Sequence, residues 1–307
     1  MARLIVHIGY PKSASTLLQK SVFPHLEDAE FLGAKTDPDL YWALGHRILD
    51  GGEDERAAIL ATYRQRIEQA KQPQIVSAEH FVMPSDCLAM GFPRPLPLLN
   101  AKDIFPLFSK LSDQIVVVVI LRRQEDWLKS WYQERVKRYE TRSFREMVRS
   151  PSFQGVMESL RYDRVANQLA TLFGKENVRF VPFELLKKSH TKFLIALTQA
   201  MGVKTADLPL PITKQSMGYG TIVMRRTTNK FLAAVAGLSP VNTPLDDSLF
   251  QISKKIYAYG SILPGLIREN QESYQLDNAI AAAFASGNSR LAKAWGLDIS
   301  DLGYCRD

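Results

Sequence analysis

Apolar residues recur along the chain in two periods, and the alternation between them lays out most of the elements. Leu4-Ile5-Val6-His7-Ile8 is a short, largely β-branched run and predicts a buried strand. A polar turn follows, Gly9-Tyr10-Pro11-Lys12-Ser13-Ala14-Ser15-Thr16, and then Leu17, Leu18, Ser21 and Val22 fall at helical spacing. This predicts a helix from about Ser15 to Phe23 that ends near Pro24. Residues 25–72 read as helical and polar, with Tyr41, Trp42, Leu44 and Ile48 on one face and a break at Asp50-Gly51-Gly52. The alternating charges of 53–71 suit a solvated helix face. Pro73 ends that stretch, and Gln74-Ile75-Val76-Ser77-Ala78-Glu79-His80-Phe81 predicts the next buried strand.

Pro84, Pro93, Pro95, Pro97 and Pro106 break up residues 84–106, which read as a long loop over the strand ends, a substrate-facing lid, with a short helix near Asp103. Ile115-Val116-Val117-Val118-Val119-Ile120-Leu121 is an unbroken apolar run, as expected of a central parallel strand covered on both faces. From Arg122 to about Arg138 the pattern becomes that of an amphipathic helix opening with acidic residues. Beyond Val203 the pattern weakens into a Pro-containing connector to Thr213 and a basic stretch with Lys214, Arg225, Arg226, Asn229 and Lys230. Amphipathic helices are predicted over 246–258 and 276–296. Strands alternating with helices predict one α/β domain over residues 1–307, a central parallel sheet with helices on both faces and a helical elaboration.

Composition narrows the function classes. A chain of 307 residues, 46% of them hydrophobic, can bury a large core. Its formal charge of +7 favours anionic ligands, but no like-charge block reaches the length of a nucleic-acid-binding tail. Cys87 and Cys305 lie far apart with no CxxC spacing, so neither a disulfide framework nor a zinc site is expected. No apolar run reaches the roughly 18–20 residues that span a bilayer. The first predicted strand begins within a few residues of Met1, leaving no room for a signal peptide, and a cytoplasmic protein without membrane insertion is expected.

The candidate chemistry lies at two strand ends. A strand turning sharply into a helix presents unpaired N–H groups and the positive end of the helix dipole, an anion site supplemented here by Lys12 and the hydroxyls of Ser13, Ser15 and Thr16. It is not the nucleotide-binding G-x-x-x-x-G-K-[ST] pattern, because Lys12 follows Gly9 by three residues and no Gly directly precedes it. The second end is Arg122. An arginine at the carboxyl end of a central strand points into the crevice where open α/β sheets bind ligands, and Ser130 follows about two helical turns later. An ordinary capped turn and an arginine paired with Glu125 or Asp126 remain the plain alternatives.

Together these segments resemble the sulfotransferases that use 3′-phosphoadenosine 5′-phosphosulfate (PAPS). That family ends its first strand in a Pro-Lys-Ser-Gly-Thr-Thr-like loop, matched here by Pro11-Lys12-Ser13-Ala14-Ser15-Thr16, and ends a later strand in Arg with Ser eight residues on, matched by Arg122 and Ser130. The similarity extends to Arg161-Tyr162-Asp163, to the run from Leu172 to Leu186 containing Glu184, and to Asn288-Ser289-Arg290-Leu291-Ala292 with Trp295-Gly296-Leu297-Asp298-Ile299. The resemblance implies a P-loop-like fold, PAPS as co-substrate, and sulfuryl transfer to a hydroxyl or amine of a carbohydrate, glycolipid or small molecule. It implies that residues 11–16 hold the 5′-phosphosulfate, with Lys12 stabilising the leaving group, and that Arg122 and Ser130 hold the 3′-phosphate.

A general base is implied at the end of the second strand, where Glu79 and His80 are adjacent; alternation turns them to opposite faces, and Glu79 is favoured. No metal is expected. Glu184 is expected to be structural, capping the helix from Leu185. The basic 214–230 stretch stands where the family often has a mobile loop over the cofactor, and a basic solvated helix accounts for it almost as well. Two positions depart from the family. Ala14 replaces the usual Gly, implying either a right-handed turn or weakened affinity, and Leu17 replaces a Trp that stacks on adenine. A P-loop nucleotide kinase and a non-catalytic nucleotide-binding protein are the alternative readings.

Overall fold

The first strand, β1 (Leu4–Gly9), is buried along its whole length and lies at the centre of a five-stranded sheet. The structure, a computed structural model, describes residues 3–33, 37–45, 53–78, 101–137, 140–204, 208, 210, 219–235 and 271–305. After β1 come α1 (Ser15–Ser21), β2 (Glu30–Leu32), α2 (Pro38–Gly45), α3 (Glu53–Gln69), β3 (Gln74–Ala78), α4 (Ala101–Ser109) and β4 (Ile115–Leu121). They are followed by α5 (Gln124–Lys137), α6 (Phe144–Arg149), α7 (Gln154–Ser159), α8 (Tyr162–Phe173), β5 (Val178–Pro182), α9 (Glu184–Lys188) and α10 (His190–Met201). The last two described helices are α11 (Tyr219–Val235) and α12 (Gln271–Trp295).

The strand order is β2-β3-β1-β4-β5 and every pairing is parallel. Leu4 lies opposite Gln74 on one side and Ile115 on the other, so the loop after β1 leaves the sheet beside the ends of β3 and β4. Side chains along β1 and β4 alternate between two cores. Leu4, Val6, Ile8, Val117, Val119 and Leu121 join Trp127, Leu128, Leu169 and Leu291 on one face. Ile5, Val118 and Ile120 join Leu18, Phe193 and Leu197 on the other. Helices on both faces are what an unbroken apolar strand such as β4 requires.

The expected α/β architecture is therefore observed, with differences at the element ends. The first helix stops at Ser21, and Phe23–His25 forms a separate 3-10 turn around Pro24. Residues 25–72 are not wholly helical, since Glu30–Leu32 adds the edge strand β2 beside β3. Its three residues run from exposed to buried, too short a stretch for a period of two to register. The short helix near Asp103 is present as α4 and carries Pro106 inside it. The strand expected over Gln74–Phe81 is described to Ala78. Of the lid expected over 84–106, residues 84–100 lie outside the described residues and 101–106 belong to α4; the helix expected over 246–258 also lies outside them. The helix expected over 276–296 is the body of α12. No helix among the described residues is long and apolar enough to cross a membrane.

Candidate active site

The turn after β1 is a strained structure held from three sides. Lys12 and Ala14 have φ of 66° and 68°, and they are the non-glycine residues with positive φ among those described. Ser13 between them and Ser15 at the helix start keep negative φ, so the sign alternates along the turn. Such alternation is the backbone pattern of anion-binding nests; here the Ser13 N–H closes the turn on the Tyr10 carbonyl at 3.1 Å, and the N–H groups that follow begin α1. Each left-handed L-residue costs about 1–2 kcal/mol, and such positions persist only where surroundings over-determine them.

The surroundings do so here. Trp127 Nε1 donates to the Pro11 carbonyl at 2.5 Å, Arg122 Nη1 donates to the Lys12 carbonyl, and Tyr10 Oη donates to the Ser159 carbonyl at 2.7 Å. Gly9 is required by space, because a Cβ there would lie 2.2 Å from Ser15 Oγ and 2.8 Å from His7 Cε1. Of the two alternatives its identity left open, a right-handed turn or weakened affinity, the first is not observed: Ala14 occupies the left-handed position that favours glycine.

Arg122 continues from β4 and lies across the turn. Burial lowers its pKa from the usual arginine value, Asp126 and Glu184 acting in the opposite sense. Its guanidinium stands 4.8 Å from the Phe183 ring centroid, and its own carbonyl accepts from Tyr162 Oη at 2.6 Å. It makes no ion pair with Glu125 or Asp126 among those observed; the neighbouring Arg123 takes that role, with Asp126 at 2.6 Å and Glu125 at 3.8 Å. Arg122 Nε, Ser13 Oγ, Ser15 Oγ and His7 Nε2 are all buried with no hydrogen-bond partner. Four such atoms around one turn are unusual, since the large majority of buried polar groups are paired.

Helix α5 supplies the remaining wall. Trp127, Ser130, Glu134 and Lys137 recur at intervals of three and four and form one stripe facing the turn. Trp127 holds Pro11, and Glu134 Oε2 lies 3.2 Å from Lys12 Nζ. Ser130 sits half-buried on the stripe between them. Pro11, Lys12, Ser13, Ala14 and Ser15 are thus brought together with Arg122 and the Ser130 stripe, while Thr16 points outward as an exposed side chain. Glu79 and His80 lie outside the described residues.

Several participants had no local signal. Glu184 is buried, yet it does not cap its own helix: its Oε1 accepts from Arg123 N at 3.1 Å, at the start of α5, and its Oε2 accepts from Tyr304 Oη. Gln124 and Asn288 pair through both amides, Gln124 Nε2 to Asn288 Oδ1 at 2.9 Å and Asn288 Nδ2 to Gln124 Oε1 at 3.0 Å. His7, to which the sequence assigned nothing, is buried with Nδ1 2.7 Å from Ser77 Oγ, and Gln19 Nε2 donates to the same hydroxyl at 3.0 Å. Burial pushes the His7 pKa down to about 3. All three depend on contacts between residues tens to hundreds of positions apart.

Fold and site together define an α/β protein whose central parallel strand runs through a strained polar turn into a helix N-terminus, with an arginine from the adjacent strand across it. No family model matches the sequence, and no curated protein matches it. Among solved structures the chain is similar to a sulfotransferase from Alicyclobacillus acidocaldarius, at 14% identity and TM-score 0.45, over 81% of this chain and 99% of that one. It is also similar to mouse sulfotransferase SULT7A1 complexed with PAP, at 12% identity and TM-score 0.38, over 96% and 88% of the two chains. A third is retinol dehydratase in complex with androsterone and inactive cofactor PAP, at 11% identity and TM-score 0.31, over 88% and 84%.

Proposed function

We propose that the protein is a sulfotransferase that uses PAPS and delivers its sulfuryl group to a hydroxyl or amine of a small molecule or glycan. The observation that carries this reading is the convergence of two motifs 110 positions apart: Arg122 donates to the carbonyl of Lys12. Around that contact lie the alternating φ of the turn and the unpartnered buried polar atoms of Ser13, Ser15 and Arg122. Such groups fit a polyanion, which would satisfy donors that now have no acceptor.

In this reading PAPS supplies an activated sulfuryl group whose departure leaves adenosine 3′,5′-bisphosphate. Sulfuryl transfer, like phosphoryl transfer, is in-line with a loose transition state, so positioning and charge stabilisation are most of what the protein contributes. The N–H groups from Ala14 to Thr16 and the helix dipole hold the 5′ end, the Ser13 N–H being taken by the Tyr10 carbonyl at 3.1 Å. Lys12 brings its ammonium to the negative charge that develops on the bridging oxygen. Arg122, with Ser130, binds the 3′-phosphate through charge-assisted hydrogen bonds. Glu79 or His80 takes the proton of the attacking hydroxyl or amine.

Incubation with sulfur-labelled PAPS and fractionated cell-extract acceptors tests the reading. Label should pass to an acceptor, and Lys12→Ala should lower kcat by about 10²–10³-fold, the scale for losing one donor to a developing anion, with its urea midpoint unchanged. Full turnover in that variant would remove Lys12 from the mechanism, and failure of the wild type to transfer or release label would overturn the activity.

A further inference from the structure

The side chain of Lys12 is already engaged. Its ammonium lies 3.2 Å from Glu134 Oε2, and Lys137 Nζ lies 3.6 Å from the same oxygen, so the carboxylate sits between two cations. Glu134 stands one helical turn beyond Ser130 and about two beyond Trp127. Helix α5 therefore holds consecutive residues of the turn, Pro11 by its carbonyl and Lys12 by its amine. The main chain of Lys12 is fixed by its left-handed φ and by Arg122 on its carbonyl, which leaves the side chain as the part that can change partner. The side chains of Lys12 and Glu134 are 32% and 21% exposed. A pair this open is weak enough for a multiply charged anion to displace the carboxylate.

We propose that Glu134 is a positioning residue for Lys12: it holds the ammonium beside the turn in the free protein and yields it to the 5′ anion of an incoming nucleotide. The proposal rests on reading the turn as the 5′-anion site. Its consequence is discrimination by charge. A ligand gains from Lys12 only if its 5′ end carries enough negative charge to replace a carboxylate, and a nucleotide without a 5′ anion leaves the pair intact.

Glu134→Gln keeps the shape and removes the charge. Binding of adenosine 3′,5′-bisphosphate should tighten about 2- to 5-fold, the worth of a partly exposed ion pair, while binding of adenosine 3′-monophosphate stays the same. The gain should vanish in a Lys12→Met background. Equal changes for both nucleotides, or a gain that survives Lys12→Met, would overturn the proposal. Acetic anhydride labelling, read at Lys12 by peptide mass spectrometry, checks the pair without any nucleotide. Lys12 should label faster in Glu134→Gln than in wild type, and equal rates would also overturn it. Failure of the functional reading shows separately, as wild-type protein that binds neither nucleotide, and the labelling ratio then still decides whether Glu134 holds Lys12.

Discussion

At the scale of single residues, the places of Lys12 and Arg122 at the strand ends were legible and the conformation of the turn was not. Lys12, Arg122 and the hydroxyls could be picked out because strand ends and helix starts are visible in hydrophobic period. The left-handed φ of Lys12 and Ala14 could not, because it follows from anchoring by Trp127 and Arg122 rather than from anything in a Lys or an Ala. His7 was silent for the same reason, a histidine in an apolar strand whose partner Ser77 is 70 positions away. Its burial has a measurable consequence. With a folded pKa of about 3 against 6.5 for the ordinary group, His7 stays neutral while the unfolded chain protonates. Its contribution is therefore complete above pH 6.5 and is lost as pH falls from there towards 3. At pH 5 that loss is about 2 kcal/mol. Urea unfolding at pH 7 and pH 5 should show the difference between the two pH values smaller by about that amount in His7→Gln than in wild type. Identical pH dependence would mean that His7 is not held neutral.

At the scale of elements, α5 shows why the site is stable enough to carry strain. Its start is fixed by Glu184 on Arg123 N and by the Gln124–Asn288 pair, its end by Asn229 Nδ2 donating to the carbonyls of Val136 and Glu140 at 2.9 and 3.0 Å. Glu140 in turn joins Arg135 and Arg142 at 3.5 and 2.9 Å. These clamps come from β5–α9, α11 and α12, so elements remote in sequence hold the helix that faces the turn. The residues involved were visible in the chain, and Glu184 and Asn288 lay in segments with a family resemblance, but spacing cannot reveal a contact between positions 124 and 288. Asn288 also donates to the Tyr304 carbonyl at 2.7 Å. Asn288→Ala would leave the Gln124 amide and that carbonyl short of a buried partner, a cost of about 2–3 kcal/mol. Denaturant unfolding reads it directly, and a loss below about 0.5 kcal/mol would show that the surroundings re-pair these groups without Asn288.

At the scale of the whole molecule, the parallel order β2-β3-β1-β4-β5 puts the ends of β1 and β4 side by side, which is how Lys12 and Arg122 meet at all. Two apolar runs, each followed by a helix, implied two strands of a parallel sheet; that they are neighbours, the edge strand β2 and the cross-chain clamps were not implied. The meeting gives Arg122 two tasks that binding can separate. It holds the Lys12 carbonyl, and on the proposed function it also receives a 3′-phosphate. Any loss from loosening the turn falls alike on every ligand with a 5′ anion, whereas loss of the phosphate partner falls only on ligands with a 3′ group. Arg122→Ala should therefore weaken adenosine 3′,5′-bisphosphate more than adenosine 5′-monophosphate, by about 1.5–3 kcal/mol in the difference, the range for hydrogen bonds to charged groups. Ser130→Ala should give the same contrast at smaller size. Ligand binding to the folded state alone stabilises it by RT ln(1 + [L]/Kd), so thermal shift over a concentration series of each nucleotide measures both variants on one scale. Equal losses for the two nucleotides would confine Arg122 to holding the turn, and the 3′-phosphate would then have to be recognised elsewhere.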